Sequence, residues 1–113
     1  MKLPGADRAV VEPEKVRDYL LSPAHSVGKL KAAFFNALGY NQDDWTRLQA
    51  DLLHIATLDI ATQGRFTRYG NKYEIRATLT GPNGRSARVL TAWIVGHGQD
   101  FPRLITAFPD DMP

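Results

Sequence analysis

The apolar residues of this chain follow two spacings. Through residue 57 they recur at three and four positions, and from Lys72 onward they alternate with polar ones. The first spacing lays one face of a helix on a core, and the second lays one face of a strand. Val16, Tyr19 and Leu20 mark a first helix. It starts at Pro13, whose missing N–H has no helical partner to lose, and Glu12 and Glu14 suit the positive helix end. Ser22-Pro23 stops it, because a residue before proline is pushed out of the α region. Val27, Leu30, Phe34 and Leu38 form the stripe of a second helix, which begins near Val27 or Lys29 and is capped by Gly39. Asn41, with Asp44 three residues on, caps a third helix that carries Trp45, Leu48, Leu52 and Ile55 to about Thr57.

The alternating region, Lys72 to Phe108, predicts three strands. Gly81-Pro82-Asn83-Gly84 joins the first two, since Asn and Gly tolerate the positive φ of tight hairpins. The second strand covers Arg85–Val95, and Gly96-His97-Gly98-Gln99-Asp100 leads to the last, Pro102–Phe108. Leu58–Thr62 reads as a short strand and Gln63–Gly70 as a polar, edge-like segment. Asp110 to Pro113 is a tail. The expected architecture is α+β, one domain over 1–113: a helical layer at 1–57 packed on one face of a mainly antiparallel three- to four-stranded sheet at 58–109.

A symmetric Gly81–Gly84 turn places residue 75 opposite 90 and 74 opposite 91. A symmetric second loop places 90 opposite 107 and 91 opposite 106. One face then holds Ile75, Leu90 and Ala107 beside Tyr73, Ala92 and Ile105, and takes the helices. The other holds Glu74, Thr91 and Thr106 in one row, with Arg76 on one side and Lys72 and Trp93 on the other. A slip of one residue would exchange the faces of a strand. The row also has a plainer reading, in which threonine is a good strand former on a solvated face.

A chain of 113 residues buries about two thirds of its unfolded surface, enough for a core without staples. It has no cysteine, hence no disulfide or thiolate chemistry, which fits a reducing, cytoplasmic setting. No apolar run reaches the ~20 residues of a membrane span, and Met1-Lys2-Leu3-Pro4 opens no signal peptide. The net charge is only +2, but its distribution is uneven. Arg65, Arg68, Lys72, Arg76, Arg85 and Arg88 face one acid, Glu74, with Phe66, Tyr69 and Tyr73 among them. Arginine interleaved with aromatics suits phosphate backbones and stacked bases, and equally the solvated face of an edge strand.

His25, Lys29 and Lys31 open the second helix, where free N–H groups and the dipole attract anions. A histidine beside a phosphate can serve as acid or base near neutral pH, and the alternative is a loop histidine with solvated lysines. His54 reads as structural. His25, His54 and His97 lack metal-ligand spacing, so no metal is expected, and no nucleotide-binding or nucleophile motif points to a cofactor.

Ser22-Pro23, His25, Gly28, Lys31, Phe34-Phe35 and Leu38-Gly39 resemble a family of small uncharacterised bacterial domains. The likeness continues through Tyr69-Gly70, Tyr73, Leu79 to Gly84, Trp93-Ile94 and Pro102 to Thr106. Such domains occur alone and at the C-termini of polymorphic toxins. The layout also resembles, at fold level, the barnase, colicin and RelE-like ribonuclease toxins, where helices precede an antiparallel sheet. That group's catalytic residues vary, so none transfers by motif.

The resemblance implies a metal-independent RNA-cleaving domain, with tRNA as one substrate, and a cognate antitoxin or immunity protein. The face reading then offers His25 as acid or base, Lys31 and Arg76 at the phosphate, Thr91 and Thr106 as hydroxyl donors, and Glu74 as second base or orienter. Arg65, Arg68, Lys72, Arg85 and Arg88 would hold RNA, and Tyr73 or Trp93 would stack on a base. A non-catalytic module binding nucleic acid or a partner protein uses the same basic face, and a small-molecule or structural domain uses none of it.

Overall fold

A computed structural model describes residues 1–26 and 28–110, with Lys29 as backbone. Val27, expected on the stripe of the second helix, and the tail from 111 lie outside the described residues. Helices precede the sheet, as the spacing predicts. The first, α1 (Pro13–Lys15), begins at the expected proline and runs on as a π-helical segment, Val16–Leu20. Its wide turn is closed by Leu21 N–H donating to the Val16 carbonyl at 2.9 Å. Nothing in the spacing announces that widening, which often marks functional positions. Next come α2 (Lys29–Ala37) and α3 (Trp45–Ile55). The Asn41 side chain accepts from the Asp44 N–H at 3.0 Å, as its capping position predicts, and starts the 3₁₀ turn that feeds α3.

Four antiparallel strands form one sheet in the order β1 (Thr62–Thr67), β2 (Gly70–Thr80), β3 (Ser86–Gly96), β4 (Pro102–Pro109). The first strand lies later than expected: residues 58–61 turn, and the polar segment after them pairs. It is a largely exposed edge strand, broken by a bulge between Gln63 and Phe66. Near the other edge Val10 pairs with Arg103 of β4.

The register of β3 differs from the symmetric expectation. Thr80 pairs with Ser86, so Ile75 lies opposite Thr91 and Glu74 opposite Ala92. The turn is shorter and odd-numbered. Gly81 N–H donates to the Arg85 carbonyl at 2.9 Å, and Gly84 N–H to the Gly81 carbonyl at 3.0 Å. Three residues are left in the loop, with Gly84 at φ 86°, the left-handed residue such loops require. The second loop pairs as expected, Val95 with Pro102 and Trp93 with Leu104, until a bulge at Ile105 shifts Ala92 onto Thr106 and Thr91 onto Ala107.

Both shifts move β3 by one, and a slip of one inverts its faces. Ile75, Ala77, Val89, Thr91, Trp93, Leu104 and Ala107 therefore meet the helices in one core with Val16, Leu20, Phe35, Leu48 and Leu52. The middle strand is reversed from the sequence reading, and so is the start of β4, where Leu104 faces the core and Ile105, expected there, lies on the outer face. Thr91 and Trp93 are fully buried and cannot meet a phosphate or a base, while Tyr73, 6% exposed, packs in the core and also borders the outer groove. Trp93 Nε1–H donates to Thr91 Oγ1 at 2.8 Å, and the Thr91 hydroxyl donates to the Ile75 carbonyl at 3.0 Å. Thr91 is thus a core relay that satisfies a buried indole N–H. The outer face carries the row Glu74, Ala92, Thr106 instead of Glu74, Thr91, Thr106.

Thr91→Val keeps the shape but strands the indole N–H, and should destabilise the fold by about 1–3 kcal/mol. Urea unfolding followed by tryptophan fluorescence measures this. A loss below about 0.5 kcal/mol, the size of a neutral surface change, would contradict the relay.

Candidate functional site

α2 packs on the π-helical segment and on β4, and this joint gathers titratable side chains. The Tyr19 hydroxyl shares a hydrogen bond of 3.2 Å with Thr106 Oγ1. The Nζ atoms of Lys15 and Lys31 each lie 5.4 Å from the centre of the Tyr19 ring. The His25 ring meets Tyr19 edge-on, with centroids 5.1 Å apart. Gly28 N–H donates to His25 Nδ1 at 3.0 Å, so the neutral ring carries its proton on Nε2. A Cβ on Gly28 would sit 2.1 Å from the Tyr19 carbonyl oxygen, so only glycine lets the chain pass there and present His25 to the tyrosine.

Two tyrosines of the molecule are tuned in opposite directions. Burial raises the Tyr40 hydroxyl, and its hydrogen bond of 2.5 Å to the Asp51 carboxylate raises it further. Burial also acts to raise Tyr19, but the hydrogen bonds to Thr106 and Lys31 and the charges of Lys31 and Lys15 outweigh it and lower the hydroxyl below its ordinary value. A tyrosine hydroxyl whose ionised form is favoured by two nearby ammonium groups is suited to proton transfer.

Tyr19, His25, Lys15, Glu12 and Glu14 line an open depression of about 490 Å³. A second groove, about 370 Å³, crosses the outer sheet face between Gly64, Arg65, Lys72, Glu74, Ala92, Ile105 and Thr106. The Tyr19–Thr106 hydrogen bond joins the two. The bulge at Ile105 makes this junction: without it Thr106 would share the core-facing side of Leu104, two residues before it.

Of the residues expected at a site, His25, Lys31 and Thr106 converge on Tyr19, and Glu74, Lys72 and Arg65 line the adjoining groove. Arg76 lies 3.9 Å from Glu74 and 3.4 Å from Asp110, so carboxylates already face its charge. The basic run divides between the two ends of the sheet. Arg65, Arg68 and Lys72 lie around the β1–β2 hairpin, while Arg85 and Arg88 lie toward the far end of β2, roughly 20–30 Å away from Lys72 at about 3.3 Å per strand residue. Tyr19 and Lys15 were not expected at the site. Tyr19 matched a helical stripe and so passed for core. The one hint was Lys15 four residues before it, on the same helix side. Among the described residues no group of three His, Asp or Glu side chains is placed to hold a metal ion, and no helix is long and apolar enough to cross a membrane.

The lowered hydroxyl has a definite sign. Its ionised form is favoured by the fold, so it adds stability as pH rises past its folded pKa and nothing at neutral pH. In an ultraviolet absorbance titration, Tyr19→Phe should remove the earliest tyrosinate step, and Lys31→Met should move that step to higher pH. An earliest step that survives in Tyr19→Phe would contradict the assignment.

No functionally curated protein matches the chain. Among solved structures, one chain of a contact-dependent growth inhibition toxin–immunity protein complex from Klebsiella pneumoniae 342 has a similar fold, with a TM-score of 0.74. The match covers 95% of this chain and 97% of that one at 18% identity, a likeness of fold alone. A family model described as a domain of unknown function, DUF6883, matches residues 2–111, and the chain belongs to that family.

Proposed function

We propose that this domain is a toxin-type ribonuclease that cleaves RNA without a metal and is restrained by a partner protein. The observation that carries the reading is the Tyr19–Thr106 pair, flanked by two ammonium groups and His25 and opening onto a basic groove. The fold likeness to a chain of a toxin–immunity complex supports the same setting.

RNA supplies its own nucleophile, the 2′-OH, so the protein must move protons and hold charge. The Tyr19 phenolate takes the 2′-OH proton. The 2′ oxygen bonds to phosphorus, the bond from phosphorus to the 5′ oxygen breaks, and the Lys31 ammonium protonates the departing oxygen. The products are a 2′,3′-cyclic phosphate and a 5′-hydroxyl, and solvent restores both protein groups. Lys15 and the Nε2–H of His25 face the phosphorane oxygens, and Thr106 positions Tyr19. Glu74 forms a wall of the groove with Arg76 behind it at 3.9 Å, and Arg65 and Lys72 hold the backbone.

A non-catalytic reading has its own support. Leu30, Ala33 and Ala37 are exposed and Phe34 is half-buried, giving α2 an outward apolar stripe of the kind a partner protein covers. That reading gives binding without product.

Incubating the pure protein with total tRNA in excess EDTA separates the two. The wild type should release cyclic-phosphate ends, with a rate that rises with pH toward the Tyr19 pKa. Tyr19→Phe should lose about 100-fold or more, the usual span of a proton-transfer group, and His25→Ala should also fall. Absence of cleavage, or equal cleavage by wild type and both variants, would refute the nuclease.

A further inference from the structure

The turn between β1 and β2 holds two large aromatic side chains in solvent. Phe66 is 74% and Tyr69 is 67% exposed. Scattered exposed apolar residues are ordinary, but these two lie three residues apart and alternate with Arg65 and Arg68. Thr67 fixes the turn: its Oγ1 accepts from Tyr69 N–H at 3.1 Å and Gly70 N–H at 3.2 Å, and donates to the Gly70 carbonyl at 2.9 Å. His97 supports it from behind, with Nε2 3.0 Å from the Thr67 carbonyl and its ring 5.2 Å from that of Phe66. The Arg68 guanidinium lies 4.9 Å over the Tyr69 ring and donates to its hydroxyl at 2.7 Å. Two aromatic faces are thus held in solvent at little further entropic cost.

We infer that this hairpin is a stacking platform for unpaired nucleobases, so that the substrate of the Tyr19 site is single-stranded or looped RNA. The inference rests on the nuclease reading for what happens to the strand after it binds. Sequence-specific and sequence-tolerant binding of unpaired RNA both use aromatic and guanidinium faces beside a basic track. Arg65 lines the groove with Lys72 and Thr106 on the outer face, while Phe66, paired with Asn71, points to the other side, so an RNA strand reaching Tyr19 from the platform passes over the edge strand β1 beside Arg65. A paired helix offers no free base faces to Phe66 and Tyr69. A partner protein adding a strand to β1 is less suited, because the bulge between Gln63 and Phe66 interrupts that edge. The platform takes the stacking role that the sequence alone assigned to Tyr73 and Trp93.

Fluorescence anisotropy with a labelled, uncleavable 2′-O-methyl oligouridine tests this. Phe66→Ala/Tyr69→Ala, checked for an unchanged melting temperature, should bind about 10-fold or more weakly with the same salt dependence, since no charge is removed. Phe66→Tyr should retain the affinity. Arg65→Ala should lower the salt slope by about one, and a paired RNA of equal length should not distinguish wild type from the double variant. Unchanged oligouridine affinity in the double variant, or none in the wild type at low salt, would overturn the platform; the former outcome would give the hairpin to a protein partner. tRNA cleavage by a protein whose double variant binds normally would sink the platform and leave the Tyr19 site standing. Weakened binding without any cleavage by the wild type would do the reverse.

Discussion

Three loop residues between Gly81 and Arg85 decide what each face of the sheet can do. An odd loop closed by a left-handed Gly84 pairs Thr80 with Ser86, and every residue of β3 follows from that pair. The helices then receive Val89, Thr91 and Trp93, and the outer face receives Leu90, Ala92 and Ile94. An even loop would turn the Trp93 indole outward and leave the core short of its largest side chain. Because a buried indole N–H needs an acceptor, the same register places Thr91 beside it.

The candidate site arises where two irregularities meet. The π-helical turn widens the first helix at Tyr19, and the bulge at Ile105 turns Thr106 away from the core. Regular geometry at either place would separate the two hydroxyls. Gly28 closes the arrangement from the other side, since its missing side chain lets the start of α2 lie against the Tyr19 carbonyl. Lysines on both helices then set the electrostatics of the tyrosine. The groove beyond Thr106 is basic at its far end, which gives an anionic chain a direction along the sheet.

Much of this fold was legible in the sequence because burial dictates it. Pro13, Gly39, Asn41 and the alternation after Lys72 each have one local cause and one local result. The register was not legible, because Gly81-Pro82-Asn83-Gly84 suits loops of either parity, and only the hydrogen bonds of Gly81 and Gly84 choose between them. His25, Lys31 and Thr106 were read as site residues from helix-start chemistry and strand polarity, and they do converge. Tyr19 was not, since a tyrosine on an apolar helical stripe looks like core until its hydroxyl is seen to meet a strand about 90 residues later. Thr91 shows the converse: polar in sequence, it serves the interior.

The claim that the Tyr19–Thr106 joint is where RNA is processed is tested most directly by NMR. The isotope-labelled protein would be titrated with an uncleavable 2′-O-methyl RNA oligonucleotide. The account predicts the largest shift changes at Tyr19, His25, Lys31 and Thr106, continuing along Lys72 and Arg65. Changes confined to the α3 side or to the Arg85–Arg88 end, with the Tyr19 and Thr106 signals unmoved, would contradict it.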